Sequence, residues 1–548
     1  MNSESLAPRS SFSLRVSARP HSVRHVPWII AIPSLAAAAA VSIPLAYIAI
    51  RAADAGVTSY LAVILSRQTA VLLVRTLLLV AGVVAASLAI ALPLAWLVVR
   101  TDLPGRAVWA TAAAIPIVFP SYIAAFILVA VAGPRGYLQQ MLSSGGVARL
   151  PEMAYGYSGA LIALSLFTYP YLYLLLVVSL RAIDPALEES SRSLGMGRWR
   201  TFAFAIMPAL RPALASGSLL IALYTLSDFG AVSIVRYNTF TVSIYNAYRA
   251  LFDRTVAASL STILVLVTFL FIATEAWLVR RARPVSASAR AVASPVPLGR
   301  WRWPAIAFAS SIVFATLVVP VATIGYWLLH GGGRGVSLAI SLREIAGNSL
   351  RASLAAAIIA VALSIGPALW ATRHPSAVSR WVDRIVYGGY ALPGIVIALA
   401  LVFFVSRWLP LLYQTAALLV IAYVIRFLPE AVSATKTALA AFPPLLEEAA
   451  RSLGAGPLER LRTITLPLLR PGLLAGGGLV FLTSMKELPA TLILRPIGFE
   501  TLATRIWSAT GEALYSEAAL PALVLLLASA VPLYLLVIRP ALEGRSRA

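Results

Sequence analysis

The chain has no cysteine and few charged or titratable side chains. Only 12% of its 548 residues are Asp, Glu, Lys or Arg. The lack of cysteine excludes disulfides, thiolate metal sites and cysteine nucleophiles. No paired acids, nucleophile–base pair or metal-ligand cluster predicts an enzyme or a metal centre. The four histidines are scattered among expected loops and the N-terminal tail, at His21, His25, His330 and His374.

Basic residues outnumber acidic residues, yet no segment is a basic domain. The chain has 44 Lys and Arg against 21 Asp and Glu, a formal charge of +23. Nearly all the positive charges are arginines in short segments between apolar runs. They do not form the clustered surface that binds nucleic acid, so no nucleic-acid partner is expected.

Long apolar runs dominate the composition. Hydrophobic residues make up 60% of the chain, and its mean hydropathy is +0.87. Many runs exceed the roughly 20 residues with which a helix crosses about 30 Å of hydrocarbon. The sequence therefore predicts an all-α integral membrane protein with twelve transmembrane helices. Six are expected near 27–50, 76–99, 107–132, 156–180, 203–227 and 255–279, and six near 304–329, 352–372, 385–406, 408–425, 464–485 and 518–538.

The basic residues predict the orientation of these helices. Most of them fall in alternate connecting segments, which the positive-inside rule assigns to the cytoplasm together with both termini. The run of small residues in the first helix also permits a cleaved signal peptide, but its length favours a retained anchor. The expected parts are a cytoplasmic tail at 1–26, a first repeat at 27–280, an arginine-rich cytoplasmic linker at 281–303, a second repeat at 304–540 and a C-terminal tail at 541–548.

An internal repeat supports this division into halves. The spacing that pairs Glu188 with Glu447 also pairs Arg192-Ser193-Leu194-Gly195 with Arg451-Ser452-Leu453-Gly454. Each half has an even number of helices, so we expect parallel repeats with a shared pathway between them. The same register continues through Pro208 and Pro467, Gly217 and Gly476, Asp228 and Glu487, Arg236 and Arg495, and Phe240 and Phe499.

A short polar helix is predicted in the loop after the fourth run. Asp184 is a helix-capping residue, Pro185 suits the first turn, and Gly195 favours termination. Glu188 and Glu189 complement the positive end of the helix. The segment 442–454 repeats this design with Pro and Glu in the same places.

These segments resemble the inner-membrane permease subunits of ATP-binding-cassette importers. Their signature is Glu-Ala-Ala, three residues, Gly, nine residues, then Ile-x-Leu-Pro. The second copy matches every fixed position, whereas the first departs from it at Ser190, Ser191, Ala205 and Met207. The positions that match are Glu189, Gly195 and Pro208 in the first copy, and Glu448, Ala449, Ala450, Gly454, Ile464, Leu466 and Pro467 in the second.

The resemblance implies a fold like that of type I importer permeases and a transport subunit rather than an enzyme. It implies that the two polar helices dock into two copies of an ATPase subunit, and that a periplasmic or lipid-anchored binding protein delivers the substrate. It also implies a multi-pass protein of a bacterial inner membrane, surrounded by lipid.

The two lysines agree with a separate motor. Lys436 and Lys486 follow Thr435 and Met485, whereas a P-loop requires Gly-Lys before Ser or Thr. This chain is therefore not expected to bind ATP by that motif. No cofactor is expected on this chain, and ATP is expected on the partner subunits.

Two further stretches resemble the permeases of ferric-iron importers. They are 226–245, with Leu226-Ser227-Asp228-Phe229-Gly230, and 486–504, with Lys486-Glu487-Leu488-Pro489-Ala490. This resemblance implies ferric iron as substrate, with thiamine or a phosphonate as alternatives. From a different class, an ion-coupled secondary transporter also has twelve helices, but it needs carboxylates in mid-helix, and nearly all acids here are expected at helix ends or in loops.

Two acids are expected to border the pathway. The uncharged stretches from Arg211 to Asp228 and from Arg470 to Lys486 give roughly 24 Å of helix, less than about 30 Å of hydrocarbon. Charge is thus brought to membrane depth, where it faces a cavity or a partner. We expect Asp228 and Glu487 near the outer mouth, where they suit a cation, with Arg236 and Arg495 balancing them or meeting anions. The alternative is that all four anchor helix ends.

Overall fold

The structure, a computed structural model, is built almost entirely of helices. It describes residues 26–134, 136–144, 153–281, 295–330, 335–442 and 445–533. Residues 1–25, the C-terminal tail and most of the expected linker lie outside this range. In the described part of the chain, the β-type pairing is a single bridge between Thr101 and Val296.

The helices of the first half cover its long runs and several short segments between them. They are α1 (Trp28–Asp54), α2 (Val57–Ile64), α3 (Arg67–Arg100), α4 (Arg106–Ala112), α5 (Ser121–Ala132), α6 (Tyr137–Ser144), α7 (Gly156–Ala182), α8 (Pro185–Ser193), α9 (Arg198–Thr201), α10 (Met207–Ser227), α11 (Gly230–Ile234), α12 (Phe240–Arg249) and α13 (Arg254–Arg281).

The second half repeats much of this order. Its helices are α14 (Arg302–Val313), α15 (Val319–Leu329), α16 (Gly335–Arg373), α17 (Ala377–Gly388), α18 (Gly394–Trp408), α19 (Ala416–Ala440), α20 (Leu445–Ser452), α21 (Pro457–Arg460), α22 (Leu466–Met485), α23 (Pro489–Leu494), α24 (Leu502–Gly511) and α25 (Tyr515–Leu533).

Eleven helices in the described residues are long and apolar enough to cross a membrane. Because no water is available in the hydrocarbon, a helix that satisfies its own backbone is the form such runs must take. The run expected at 385–406 is represented by α18, which has 15 residues and is shorter than a full span. The eleven spans are Trp28–Arg51, Arg67–Arg100, Ser121–Gln139, Gly156–Ala182, Arg198–Ser227, Arg254–Leu278, Gly299–Leu329, Ser341–Arg373, Ala416–Ala440, Leu458–Met485 and Tyr515–Pro532.

Two expected helices differ from the structure. The run at 107–132 is divided, because Phe119 and Pro120 are extended and α5 begins only at Ser121. The helix expected at 408–425 was wrong in its bounds, since α19 runs from Ala416 to Ala440. That prediction ended the helix before the first charged residue, Arg426. The helix continues past Arg426, because its side chain pairs with the buried Glu487.

Helices of the two halves are interleaved. α1 packs against α16, α17 and α18, and α15 packs against α5 and α25. Consequently each of the two large apolar cores contains helices from both halves. Close approach of helices depends on small residues. At Gly217, for example, a Cβ atom would lie 2.4 Å from Leu172 Cδ1 on α7.

Candidate coupling helices and translocation pathway

The two polar helices, α8 and α20, end in the same way. The predicted cap is confirmed in α8, where the Asp184 carboxylate accepts a hydrogen bond from the Ala186 amide at 2.9 Å. Gly195 and Gly454, at φ +79° and +86°, occupy the left-handed region that terminates a helix. Met196 N donates to the Ser191 carbonyl, and Ala455 N to the Ala450 carbonyl, at 3.1 and 3.0 Å.

One face of each polar helix is open. Leu194 and Leu453, which occupy equivalent repeat positions, are 78% and 88% exposed. A Cβ atom at Gly195 or Gly454 would have no neighbour within 4 Å among the described residues. The motif residues Glu189, Glu448 and Ala449 are exposed, whereas Ala450 is buried. The open faces therefore combine acidic and apolar side chains, a composition that suits docking to another protein.

The glutamate before each motif glutamate faces the membrane domain. Glu188 Oε1 lies 2.8 Å from Arg100 Nη1 at the end of α3, and both side chains are buried. In the second half, Glu447 Oε1 lies 3.5 Å from Arg373 Nε at the end of α16, in a more exposed position. Arg373 also donates to the Phe442 carbonyl at 3.1 Å. An ion pair thus links each polar helix to a long apolar helix, and the ion pair in the first half is shorter and more buried.

A π-helical turn joins the short helix after each polar helix, α9 or α21, to the next long helix. The turns are Phe202–Ile206 and Leu461–Thr465, which occupy equivalent repeat positions. The motif prolines Pro208 and Pro467 follow them, in the first turns of α10 and α22, where a missing N–H costs least. π-helical turns are rare in proteins overall, and those that occur often lie at functional sites. The two copies therefore share the same geometry from the polar helix into the following long helix.

Asp228 and Glu487 are both buried at the far ends of α10 and α22. Asp228 is 7% exposed and Glu487 is 5% exposed. Asp228 Oδ2 accepts hydrogen bonds from the amides of Ala231 and Val232 at 3.0 and 3.2 Å. Glu487 Oε1 accepts one from the Ala490 amide at 3.1 Å. Each acid therefore caps the short helix that follows it, α11 or α23.

The two arginines expected beside these acids have other neighbours. Arg236 lies over the ring of Tyr155, with its guanidinium carbon 5.3 Å from the ring centroid. Arg495 lies 3.9 Å from Glu500 and lines an open pocket with Tyr248 and Arg249. The structure does not bring either arginine to Asp228 or Glu487.

The counter-charge for the acids comes from residues that the sequence analysis did not single out. Arg426 Nη1 lies 2.9 Å from Glu487 Oε1, and Arg426 is also within electrostatic range of Asp228. Gly394 makes room for this pair, because a Cβ atom there would lie 1.7 Å from Arg426 Nη1. The sequence signal that could have identified Arg426 was its position within a long apolar run, where the prediction instead placed the end of a helix.

Two more charged residues of the second half are partly buried nearby. Glu430 accepts hydrogen bonds from the Tyr390 and Thr483 hydroxyls at 3.4 and 3.0 Å. Lys486 donates to the carbonyl of Ile117 in the first half at 3.0 Å, and its charge interacts with that of Glu430. Arg426 and Glu430 lie within the apolar span Ala416–Ala440. The expectation that nearly all acids lie at helix ends or in loops therefore does not hold for Glu430.

Comparisons with known proteins agree with this arrangement. The chain is 33% identical over 503 residues to the Fe(3+)-transport system permease protein FbpB 2 of Haemophilus influenzae, which covers 90% of this chain and 95% of the relative. It is 25% identical over 404 residues to the ferric transport system permease protein FbpB of Actinobacillus pleuropneumoniae, which covers 69% of this chain and 58% of that one. It is 28% identical over 196 residues to the molybdenum transport system permease protein ModB of Escherichia coli, across 34% of this chain and 84% of that one.

A family model extends the match to both halves. The model for the binding-protein-dependent transport system inner membrane component matches residues 79–284 and again 360–539. Both matched segments contain one polar helix with its glycine, π-helical turn and proline. The chain belongs to the family of binding-protein-dependent transport system inner membrane components.

Proposed function

We propose that this chain is the permease through which ferric iron enters the cytoplasm. A periplasmic or lipid-anchored binding protein delivers the iron, and two copies of a separate ATPase subunit bind ATP and drive its passage. The observation that carries the proposal is the 33% identity to a ferric permease over nearly the whole chain, together with two coupling helices of matching geometry.

The architecture in this proposal has twelve transmembrane helices in two parallel repeats. α18 is the twelfth span, since it is apolar and occupies the expected place between α17 and α19. Both termini face the cytoplasm of a bacterial inner membrane. The repeats occupy 27–280 and 304–540, joined by the linker at 281–303. The double match of the family model and the equivalent π-helical turns support this arrangement.

The coupling site consists of α8 and α20 with their glycines and prolines. In each helix the motif glutamate is exposed, and the preceding glutamate binds an arginine at the end of a long helix. A displacement of either polar helix by an ATPase is thus transmitted through an ion pair and through the short connection to the next long helix. The coupling residues in this proposal are Glu189, Gly195, Pro208, Glu448, Ala449, Ala450, Gly454 and Pro467.

Asp228 and Glu487 border the pathway between the halves, and their carboxylates favour a cation. Arg236 and Arg495 belong to the outer rim, where each has a neighbour of its own. Buried carboxylates near the expected pathway argue against an anion such as sulfate, the cargo that the name of the sulfate permease of Escherichia coli gives for that relative. This difference supports a cationic substrate.

The test is ATPase activity in a reconstituted complex. The permease is copurified with its ATPase, placed in lipid, and mixed with binding protein that is empty, ferric-loaded or offered thiamine, a phosphonate or molybdate. Ferric-loaded protein is expected to stimulate hydrolysis several-fold over empty protein. Stimulation by another ligand alone would contradict the ferric assignment, and failure to retain any ATPase would contradict the importer assignment.

A further inference from the structure

Four residues of the expected linker contact the first half of the chain directly. We define the strap as Pro295, Val296, Pro297 and Leu298. Val296 forms with Thr101, the residue after α3, the single β-type bridge of the described residues. The strap then leads through the turn Gly299–Trp301 into α14, the first helix of the second half. It is therefore a direct connection between the second half and the end of α3.

The sequence of the strap leaves it two backbone donors, and both are used. Proline has no N–H, and a residue before proline favours an extended backbone. Val296, between two prolines, donates its N–H to the Arg100 carbonyl at 2.8 Å and accepts from the Asp102 amide at 3.3 Å. The Leu298 amide donates to the Asp102 carboxylate at 2.9 Å. The alternating prolines thus favour both the extended shape of the strap and its pairing with the end of α3.

Arg100 binds the strap with its backbone and the polar helix α8 with its side chain. Its Nη1 atom lies 2.8 Å from Glu188 Oε1, and 5% of the Arg100 side chain is exposed. Its Nε and Nη2 atoms have no hydrogen-bond partner among the described residues. The attraction between two charges away from water depends strongly on their distance. A displacement of the Arg100 backbone therefore weakens its contact with Glu188.

The polar helix of the second half is held differently. Arg373, at the end of α16, lies 3.5 Å from Glu447 of α20. The Arg373 side chain also donates to the carbonyls of Leu439 and Phe442, at the end of α19 and just after it. All four residues belong to the second half. These contacts link α20 to its own half, whereas Arg100 and the strap link α8 to both halves.

The strap leads to helices that contact both halves. α14 packs against α3, and it continues through the π-helical turn Phe314–Val318 into α15. α15 packs against α5 of the first half and α25 of the second. A movement of α8 that displaces Arg100 thus acts on α3 and, through Val296, on α14 and α15. An unbroken series of packed and hydrogen-bonded contacts can carry coupling energy between distant sites.

We propose that the strap positions Arg100, and through Arg100 the polar helix α8, so that a movement of α8 reaches both halves. This inference rests on the proposed function and adds Arg100, Asp102 and Val296 to it as positioning residues. The strap stays bound to the end of α3 throughout the transport cycle. The two polar helices therefore differ in their role, since α8 acts on both halves and α20 acts on its own.

The proposal is tested with the full permease–ATPase complex in lipid nanodiscs. Asp102 is exposed, so Asp102→Ala removes the acceptor for Leu298 without leaving a buried cavity. Val296→Pro removes the donor to Arg100 and keeps an extended backbone. Both are expected to lower the maximal rate of binding-protein-stimulated ATP hydrolysis at least about threefold. The ATP concentration at half-maximal rate should not change, because the partner subunits bind the ATP.

Conservative variants and a matched aspartate provide the controls. Asp102→Asn keeps an oxygen acceptor and Val296→Ile keeps the N–H donor, so both are expected to retain the wild-type rate. Asp253 is an exposed aspartate that likewise accepts from backbone amides, those of Thr255 and Val256, outside the strap. Asp253→Ala is expected to leave the maximal rate unchanged. Equal losses in Asp102→Ala and Asp102→Asn would overturn the role of the hydrogen bond.

A disulfide tests the proposal by gain of function. The chain has no cysteine, so Thr101→Cys with Val296→Cys introduces a single thiol pair. The spacing of paired strands lies within the range that a disulfide spans. In the Asp102→Ala background, oxidation is expected to restore the stimulated rate and reduction to lower it again, because the disulfide replaces the lost hydrogen bond. Loss of activity on oxidation with Asp102 intact would show that the strap must detach, and would overturn the proposal.

A double substitution tests whether the strap acts through the ion pair. Glu188→Gln removes the counter-charge of Arg100, and the stimulated rate is measured with and without Asp102→Ala. The two effects are expected to be non-additive, since both variants interrupt the same series of contacts. With Glu447→Gln, the matched control in the second half, the effects of Asp102→Ala are expected to add. Additive effects with Glu188→Gln would overturn the role of Arg100 as the link.

The same preparation separates this inference from the proposed function. A stimulated rate that is unchanged in Asp102→Ala and Val296→Pro would discard the role of the strap and retain the permease. A complex that retains no ATPase would overturn the proposed function and, with it, any coupling role of the strap. Stimulation by another loaded binding protein in place of the ferric form, with the expected effects of the strap variants, would discard the ferric cargo and retain the inference.

Discussion

The central helices of the two halves have the same shape and different chemistry. α7 and α19 are both long apolar helices with a proline at the equivalent position, Pro170 and Pro429. The residues around Pro170 are aromatic, at Phe167 and Tyr171, whereas the equivalent positions around Pro429 are Arg426 and Glu430. The second half thus provides the charges that face the acids of both halves.

The repeat therefore specifies the helical architecture and the two polar helices, but not the charged residues between the halves. Both halves have the polar helix, the left-handed glycine, the π-helical turn and the capping acid. Only α19 contributes an arginine and a glutamate to the boundary, and the ion pair that holds the polar helix is shorter in the first half. Substitutions at equivalent positions of the two halves either remove this difference between them or measure it.

The largest effect is expected at the position where Gly394 in the second half matches Ser121 in the first. In Gly394→Ala, the new Cβ would lie 1.7 Å from Arg426 Nη1 and 2.5 Å from Glu487 Oε1. Breaking a buried pair costs about 3–5 kcal/mol. Ser121→Ala removes one hydroxyl beside Asp228, at a cost of about 1–3 kcal/mol. Thermal unfolding of the purified proteins measures both.

The control for this prediction is Gly325→Ala in α15. An added Cβ there has no neighbour within 4 Å among the described residues, so no loss of stability is expected. Equal losses for Gly394→Ala and Gly325→Ala would contradict the assigned role of the ion pair.

The second comparison concerns the ties of the polar helices. Glu188→Gln leaves Arg100, with 5% of its side chain exposed, without a charged partner, and a loss of about 3 kcal/mol is expected. Glu447→Gln affects a longer, more exposed contact and is expected to cost about 1 kcal/mol or less. The free energy of unfolding in mixed detergent measures the difference. A larger loss in the free energy of unfolding for Glu447→Gln than for Glu188→Gln would contradict this expectation.

The third comparison concerns the glycines of the polar helices. Gly454 has φ +86°, and its added Cβ meets no described residue. Gly454→Val is expected to destabilise the helix end by about 1–2 kcal/mol because of the left-handed backbone. Gly454→Asn, which tolerates this backbone, is expected to cost much less. Binding-protein-stimulated ATPase activity should decrease in Gly454→Val and be largely retained in Gly454→Asn. Equal activity of the two variants would show that the backbone conformation is not needed for coupling.

The smallest effect is expected for paired hydroxyls between long helices. Ser364 lies 2.9 Å from Thr435 between α16 and α19, and Ser87 lies 3.3 Å from Thr168 between α3 and α7. Such bonds contribute about 0.6 kcal/mol in membranes. Ser364→Ala is expected to lower the free energy of unfolding by about that amount. Ser87→Ala is expected to lower it less, because its hydrogen bond is longer. A loss of several kcal/mol for either would show that these contacts have a role beyond packing.

Much of the fold follows from hydropathy and turn chemistry. The runs near 156–180 and 255–279 correspond to α7 and α13, and Asp184 caps α8 as its sequence predicts. The bounds of α19 did not follow, because a window of hydropathy treats Arg426 as solvated. Only the distant partner Glu487 shows why the arginine is tolerated, and their pairing depends on tertiary contacts.

The two polar helices and their terminating glycines were predictable because each depends on a local pattern of a few residues. The buried charges between the halves were only half predictable: the repeat identified Asp228 and Glu487, but not Arg426, which pairs with Glu487. Arg236 and Arg495 follow the two acids in the same repeat register, whereas the contact with Glu487 comes from Arg426 on α19. Sequence proximity was therefore a poor guide to the partner of a buried charge.

The most direct test of the account is iron accumulation in sealed proteoliposomes that contain the permease–ATPase complex. ATP is supplied on the cytoplasmic side and ferric-loaded binding protein on the other. We expect uptake of ferric iron that requires ATP and the binding protein and is reduced by Gly454→Val. Uptake driven by a proton gradient without ATP, or accumulation of an oxyanion in place of iron, would contradict it.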